Sequence, residues 1–345
     1  MKNDPPEAVA ALWRSAHTVA IVSHVHPDGD AVGSLLGLGH MLRAAGLTVT
    51  LALADPVPHN VHFLPGAQAI VRRVSVRPDV LVAVDSGDRA RLGDAVPAEW
   101  TIDLNVDHHK TNTFYGRHNV VVPDAPSTTA VLAEYASAWA LSIVPEAALA
   151  LLTGLLTDTL GLRTASVTPE TLRLAARLME AGADLSTAYY EALVAKSAAE
   201  IRYTGRGRAR ARLEDGLIWS YLTRQDRVET GFDEPDDAGL VNALLHAREA
   251  DLAVVFIETD QPDEIKVSWR AKRGWDVGDL ARAFGGGGHA AAAGATLAGS
   301  LDAVQARVLA ATRVFHRTRR VPQALTSPSS SPPSMPHPPS AGGNP

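Results

Sequence analysis

No cysteine occurs in the 345 residues. Disulfide staples, iron–sulfur clusters and thiolate zinc sites are thereby excluded, and a cytoplasmic setting is the default expectation. Aromatic residues make up only 5% of the chain, so aliphatic side chains and alanine must fill the core. No apolar run approaches the ~20 residues that cross a bilayer. The first residues include Lys2, Asn3 and Asp4 and hold no apolar stretch, so no signal peptide is expected. Basic residues are not in excess: 32 Lys and Arg stand against 38 Asp and Glu, a net charge of −6. A protein that grips long nucleic acid carries a basic footprint. This balance fits a small anion better, or a short nucleic acid held in a local basic cleft.

What is present is a globular composition, with 46% hydrophobic and 20% charged residues, over a length that accommodates two domains. Residues 18–23 read as a buried strand and 30–45 as a helix closed by Gly46. Further strands are predicted over 49–54, 80–85 and 101–107. A helix is predicted from the cap Ser127 to about residue 140, another over 145–156, and a third from Pro169, capped by Thr168, to Gly182. Strands alternating with helices predict an α/β domain with a mostly parallel sheet flanked by helices, its functional groups at the carboxyl ends of the strands. Beyond a polar, Arg-rich segment, strands over 217–223, 252–258 and 264–271 and a helix over 276–284 predict a smaller α+β domain. The expected organisation is a first domain over 1–190, a linker over 191–213, a second domain over 214–318 and a disordered tail over 319–345. Residues 322–345 hold eight prolines and no Asp, Glu, Lys or Arg, too little apolar surface to fold.

The chemistry concentrates in four short motifs. The first is Ser23-His24-Val25-His26-Pro27-Asp28-Gly29-Asp30-Ala31, directly after the first strand. Pro27 fixes its own φ and biases His26 toward extended backbone, so a tight turn presents His24, Asp28 and Asp30 to one space. Asp30 at a helix start also reads as a plain N-cap. The other motifs are Val84-Asp85-Ser86, Val106-Asp107-His108-His109 and Thr157-Asp158-Thr159, each taken as a strand end or helix start. Adjacent residues of a strand face opposite ways, so His108 and His109 serve different partners. Imidazoles and carboxylates converging from several elements are what a catalytic two-metal centre needs, and the leading reading is a metal-dependent phosphoester hydrolase.

These motifs, in this order, resemble the DHH phosphoesterase superfamily, in its DHH–DHHA1 branch of oligoribonuclease/pAp phosphatases, over roughly residues 15 to 300. The run Gly285-Gly286-Gly287-Gly288-His289 followed by Ala291-Ala292-Ala293-Gly294 resembles that branch's C-terminal substrate signature. The resemblance implies two divalent cations, Mn²⁺ by preference. One would be held by His24, Asp28 and Asp85, and the other by Asp30, Asp85, His108 and Asp158. It implies that Asp107 orients an imidazole and that His109 contacts the scissile phosphate. It also implies that Arg270, Gly286, Gly287, Gly288 and His289 bind substrate. Relatives often place a serine after the arginine, where this chain has Ala271, so one polar contact is expected to be missing. The implied activity is hydrolysis of short RNA to 5′-mononucleotides and of pAp to AMP, without a membrane and with a homodimer compatible.

Competing readings are a phosphodiesterase for cyclic or linear dinucleotides, a single-strand DNA exonuclease of the RecJ type, and a nucleotide-binding module without turnover; dinucleotides and short single-stranded DNA are further candidate partners. Inorganic pyrophosphatases share the metal motifs but not the glycine-rich signature. Arg206, Arg208, Arg210 and Arg212 alternate, and on an extended segment would share one face, as a solvated interdomain surface or a phosphate track.

Overall fold

The computed structural model describes residues 3–319. The tail expected over 319–345 lies outside the described residues, apart from Arg319, the end of the last helix. The chain divides into two compact units, Met1–Ala195 and Lys196–Pro345.

The first unit runs α1 (Pro6–Ser15), β1 (Thr18–Val22), α2 (Gly29–Ala44), β2 (Thr48–Ala52), β3 (Val80–Val84), β4 (Leu104–Asp107), β5 (His118–Val121), α3 (Thr128–Tyr135), α4 (Pro145–Asp158), α5 (Pro169–Glu180) and α6 (Leu185–Tyr189). Its five strands form a parallel sheet in the order β2-β1-β3-β4-β5. The central β3, Val-Leu-Val-Ala-Val, is buried throughout, as befits a parallel strand covered on both faces. Strand alternation sorts its side chains. Val82 and Val84 join the large core under α2, α3 and α4, while Leu81 and Ala83 pack with Leu92, Ala95 and Ile102 on the opposite face. Helices α2 and α4 lie backbone to backbone. A Cβ on Gly33 would come within 2.6 Å of the Ala150 carbonyl oxygen.

Three differences from the sequence reading have physical causes. Asp158 ends a helix and not a strand, because Leu151, Leu152, Leu155 and Leu156 recur at helical spacing and are all buried. Helix α3 stops at Tyr135, short of residue 140, and Ala140 takes a left-handed φ of 58°. The segment 191–213 is not a linker but folded chain, carrying α7 (Ala198–Ala209) and most of β6 (Arg212–Glu214) of the second unit.

The second unit continues with β7 (Leu217–Leu222), α8 (Arg224–Thr230), α9 (Leu240–Leu244), β8 (Leu252–Glu258), β9 (Glu264–Ala271), α10 (Val277–Arg282), β10 (Gly287–His289), β11 (Ala292–Ala298) and α11 (Leu301–Arg319). Its sheet is mixed, in the order β10-β11-β9-β8-β7-β6, with only β7 and β8 parallel. One face is covered by Val304, Val308 and Leu309 of α11, the other by Tyr203, Leu240, Val241 and Leu244. Arg206 of α7 and Arg210, which caps its C-terminus, sit one turn apart and both bind Asp226 of α8, while Arg212 lies over the Trp219 ring at 5.1 Å. The alternating arginines therefore do not lie on an extended segment, and three of them have partners within this unit. No described helix is long and apolar enough to cross a membrane.

Candidate metal centre

Past the end of β1 the chain turns into α2, and this turn carries three donors. His24 is 3% exposed, and its Nδ1 lies 2.8 Å from the Val25 carbonyl oxygen. A carbonyl only accepts, so Nδ1 carries the proton and Nε2 keeps its lone pair. That Nε2 stands 3.5 Å from Asp85 Oδ2 and 3.9 Å from Asp28 Oδ1. Asp28 caps α2, accepting from the N–H groups of Asp30 and Ala31. The capping role considered for Asp30 thus falls to Asp28. Asp30 sits inside the first turn, 1% exposed.

The N-terminus of α3 grips Asp30. Its carboxylate accepts from the Thr128 N–H at 2.6 Å, the Thr129 N–H at 3.0 Å and the Thr129 hydroxyl at 2.7 Å. The Thr128 hydroxyl donates to Asp85 Oδ1 at 2.8 Å. Asp85 follows β3 with a left-handed φ of 52°, a conformation that costs a non-glycine residue on the order of 1–3 kcal/mol. The result is that its two oxygens face different neighbours: Oδ2 faces His24, and Oδ1 lies 3.8 Å from His108 Nε2.

His108 points its Nδ1 at the Ala125 carbonyl, 3.2 Å away. Its Nε2 lies 3.9 Å from Asp30 and 3.6 Å from Asp158. His109 behaves otherwise. Its Nδ1 donates to Asp107 at 2.7 Å, which leaves Nε2 as its free nitrogen. Asp107 is itself fully buried and takes a hydrogen bond from Asn112 Nδ2 at 2.6 Å, a group that also reaches Asn105 Oδ1 at 2.8 Å.

Two donor groups result: His24, Asp28 and Asp85, then Asp30, His108 and Asp158. A third combination, Asp85 with His108 and His109, is weaker because Asp107 already holds the His109 Nδ1 proton. The separations of 3.5–3.9 Å are too long for hydrogen bonds and close to the ~3–3.5 Å edges of a shell built from ~2.1 Å bonds. Electrostatics agree. Burial, then the charges of Asp85, Asp158 and Asp28, raise the Asp30 carboxyl well above the usual range. Burial and the same kind of neighbours push Asp158 up to about 6, against the pull of His108. Burial also opposes ionisation of Asp85, but His24, His108 and His109 outweigh it and hold that carboxyl at about 2. Among the described residues no Lys or Arg pairs with Asp28, Asp30, Asp85 or Asp158. Mutually repelling carboxylates, of which Asp30 and Asp85 are buried, Asp158 partly buried and Asp28 exposed, with imidazoles at their edge fit divalent cations, and mixed O/N donors suit first-row metals.

Comparison with known proteins follows this geometry. Residues 18–155 match the DHH family, N-terminal domain, and residues 218–314 match the DHHA1 domain. The bifunctional oligoribonuclease and PAP phosphatase NrnA of Thermus thermophilus is 35% identical over 300 residues, covering 86% of this chain and 89% of that protein. The chain belongs to the DHH family. Its Bacillus subtilis member of the same name is 26% identical over 290 residues, 81% of this chain and 89% of that one. An exopolyphosphatase-related protein from Bacteroides fragilis shares the fold, with a TM-score of 0.82 at 24% identity over 92% of this chain and 97% of that chain.

DHH-family membership directs attention to the second unit's signature. Arg270 of β9 is half-buried, its Nε donating to Asn242 Oδ1 at 3.0 Å and one terminal nitrogen to the Trp269 carbonyl at 2.9 Å. Ala271 is buried with Trp269 on the opposite, core face of β9, so the expected gap in polar contacts is not on the Arg270 face. The glycines have two different reasons. A Cβ on Gly286 or Gly288 would collide with the β11 backbone, whereas Gly287 has open space around its Cα. Hence Gly286 and Gly288 serve the hairpin's close approach, and Gly287 is the one open to a ligand. His289 ends β10, exposed.

The sequence reading missed Thr128, Thr129, Asn105 and Asn112. A signal existed for the first two: Ser127-Thr128-Thr129 offers three hydroxyls where a cap uses one, and Ser127 alone caps α3, accepting from the Ala130 N–H at 3.0 Å.

Proposed function

We propose that this chain is a two-cation phosphoesterase that shortens small oligoribonucleotides to 5′-mononucleotides and converts pAp to AMP. The observation that carries the reading is the shared carboxylate: Asp85 turns one oxygen to each of two donor groups, on a chain 35% identical to a bifunctional oligoribonuclease and PAP phosphatase. His24, Asp28 and Asp85 hold one cation and Asp30, Asp85, His108 and Asp158 the other, with Mn²⁺ suited to this mixture of carboxylate and imidazole. Bound there, such a pair supplies Lewis acidity, bringing a water's pKa near neutrality and offsetting charge on the phosphoryl oxygens.

The remaining chemistry belongs to the chain's own groups. Cleavage in both substrates breaks the bond between phosphorus and the 3′ oxygen: water adds to phosphorus and the 3′ hydroxyl leaves. No protein nucleophile is needed, and the nearby hydroxyls are already committed, since Thr128 and Thr129 donate to Asp85 and Asp30. Asp107 accepts the His109 Nδ1 proton and raises the imidazole's affinity for a second one; with that second proton on Nε2, His109 donates to a phosphoryl oxygen. Arg270, His289 and the open backbone at Gly287 recognise the 5′-phosphorylated end, and a cytoplasmic location suits these substrates.

The test is His109→Ala beside His289→Ala with Mn²⁺ and a 5′-phosphorylated dinucleotide. The reading expects kcat to collapse in the first and KM to rise in the second, with cation affinity kept in both. Unchanged kinetics in either removes that residue from its role.

A further inference from the structure

We propose that Asp55 is a positioning residue for the cation group formed by His24, Asp28 and Asp85, acting through the backbone of His26. The inference rests on reading that group as a cation site.

His26 has a φ of 53°. It is not glycine, and it precedes Pro27, whose ring favours extended backbone in the residue before it. Left to itself this residue would leave the left-handed region. One contact opposes that: the His26 N–H donates to the carboxyl oxygen Oδ2 of Asp55 at 2.6 Å, a short bond. The preceding Val25 N–H donates to the Arg91 carbonyl at 2.7 Å. Two consecutive amides of the turn are thus anchored to two separate segments, Asp55 after β2 and the 3-10 helical stretch Arg89–Ala95 after β3. The His26 imidazole is exposed, so the backbone, and not the side chain, is what the fold uses here.

The anchored pair lies between two donors. His24 precedes it, Asp28 follows it, and His24 Nε2 and Asp28 Oδ1 face each other across the turn at 3.9 Å. Relaxation of His26 toward extended backbone would swing one of these donors away from the other. The second group has different supports: Asp30 is held by Thr128 and Thr129, and Asp158 ends α4. Asp55 itself belongs to neither donor group. It borders a cavity of about 260 Å³ whose walls combine Leu53, Val57 and Ile70 with His62, Gln68 and Arg72.

The experiment is a Mn²⁺ titration by calorimetry and by electron paramagnetic resonance on four proteins: wild type, Asp55→Ala, His26→Gly and the double variant. Glycine at 26 adopts the left-handed conformation without strain, so it should relieve the need for Asp55. The expected result is that Asp55→Ala weakens one of two Mn²⁺ sites by about 10–100-fold and leaves the other within about twofold. His26→Gly alone keeps both sites, and the double variant recovers most of the loss. Asp55→Asn, which keeps an oxygen acceptor, should fall in between and covers the case in which the alanine variant does not fold. Two intact sites in Asp55→Ala, or equal weakening of both with no recovery in the double variant, would overturn the assignment. A wild type that binds no Mn²⁺ would instead sink the cation-site reading beneath it.

Discussion

Asp85 shows how one residue can set a site's geometry. Its left-handed backbone aims two oxygens at two donor groups, and its neighbours hold its carboxyl pKa at about 2 while burial and the neighbouring carboxylates push that of Asp30 up. Asp85→Asn keeps the shape and removes the charge. It should cost both cation sites more than the ~10–100-fold typical of an outer partner, with the thermal unfolding transition retained. A Mn²⁺ titration decides, and wild-type affinity at both sites would refute the shared-ligand role. Thr128→Val should cost about 10–100-fold in affinity or turnover, and Thr128→Ser should restore it, because only the hydroxyl reaches Asp85. At this scale legibility was uneven. His24, Asp28 and Asp30 were readable because seven positions held three donors. Nothing in the sequence pointed to Asn112 or Asp55, and the hydroxyls of Ser127-Thr128-Thr129 gave a signal for Thr129 without its partner. Thr129 reaches Asp30 across 99 positions and Asp55 reaches His26 across 29, and Asn, Thr and Asp are also ordinary turn and cap residues.

Two pairs of elements carry the next scale. Asp30 opens α2 and Asp158 closes α4, so the approach of these helices sets the span of the second donor group. Gly33→Val would push a branched side chain into the α4 backbone at Ala150, a cost of at least about 1–3 kcal/mol. Unfolding should shift accordingly, and the Asp30–His108–Asp158 site should weaken more than the other. Equal cation affinity at both sites would show that helix spacing is not what sets the span. In the second unit, α7 and α8 are joined by Asp226, 1% exposed, with Arg206 and Arg210. Burial opposes ionisation of this carboxyl, but the arginines and Thr223 outweigh it and hold its pKa far below the usual carboxylate range. A group depressed in the folded state stabilises above its unfolded pKa of ~3.9 and loses that contribution as pH falls toward its folded value. Asp226→Asn should therefore cost about 2 kcal/mol at neutral pH, less than the ~3–5 of a fully buried pair, because the arginines remain 37% and 31% exposed. Urea unfolding should show the difference between the two proteins shrinking steadily as pH falls below ~4 toward the depressed folded value; a difference that does not shrink with acid would contradict the ion-pair account. The strands and helices at this scale were mostly legible from apolar runs and caps. Asp158 was misplaced because the helix expected over 145–156 runs two residues further and includes it, and helix ends are the least legible part of an element.

For the whole molecule, alternation of strands and helices was enough to foresee a parallel sheet in the first unit. The second unit's sheet order was not foreseeable, since β9 pairs with both β8 and β11 and the order arises from contacts between distant segments. The segment expected to link the domains folds because Tyr203 of α7 buries its ring with Leu222, Leu240 and Val255. The overall charge of −6 belongs to the same picture. It disfavours long polyanions, whose binding relies on many phosphate contacts, and leaves recognition of a short substrate to a few groups. The most direct test is turnover by metal-stripped protein reconstituted with Mn²⁺, on pAp, 5′-phosphorylated RNA of about two to five nucleotides, RNA of about 24 nucleotides, long single-stranded DNA and a cyclic dinucleotide. The account predicts fast release of 5′-mononucleotide from the shortest RNAs, conversion of pAp to AMP, slow action on the longer RNA and no turnover without metal. Preference for long single-stranded DNA, or no hydrolysis of any substrate with Mn²⁺ bound, would contradict it.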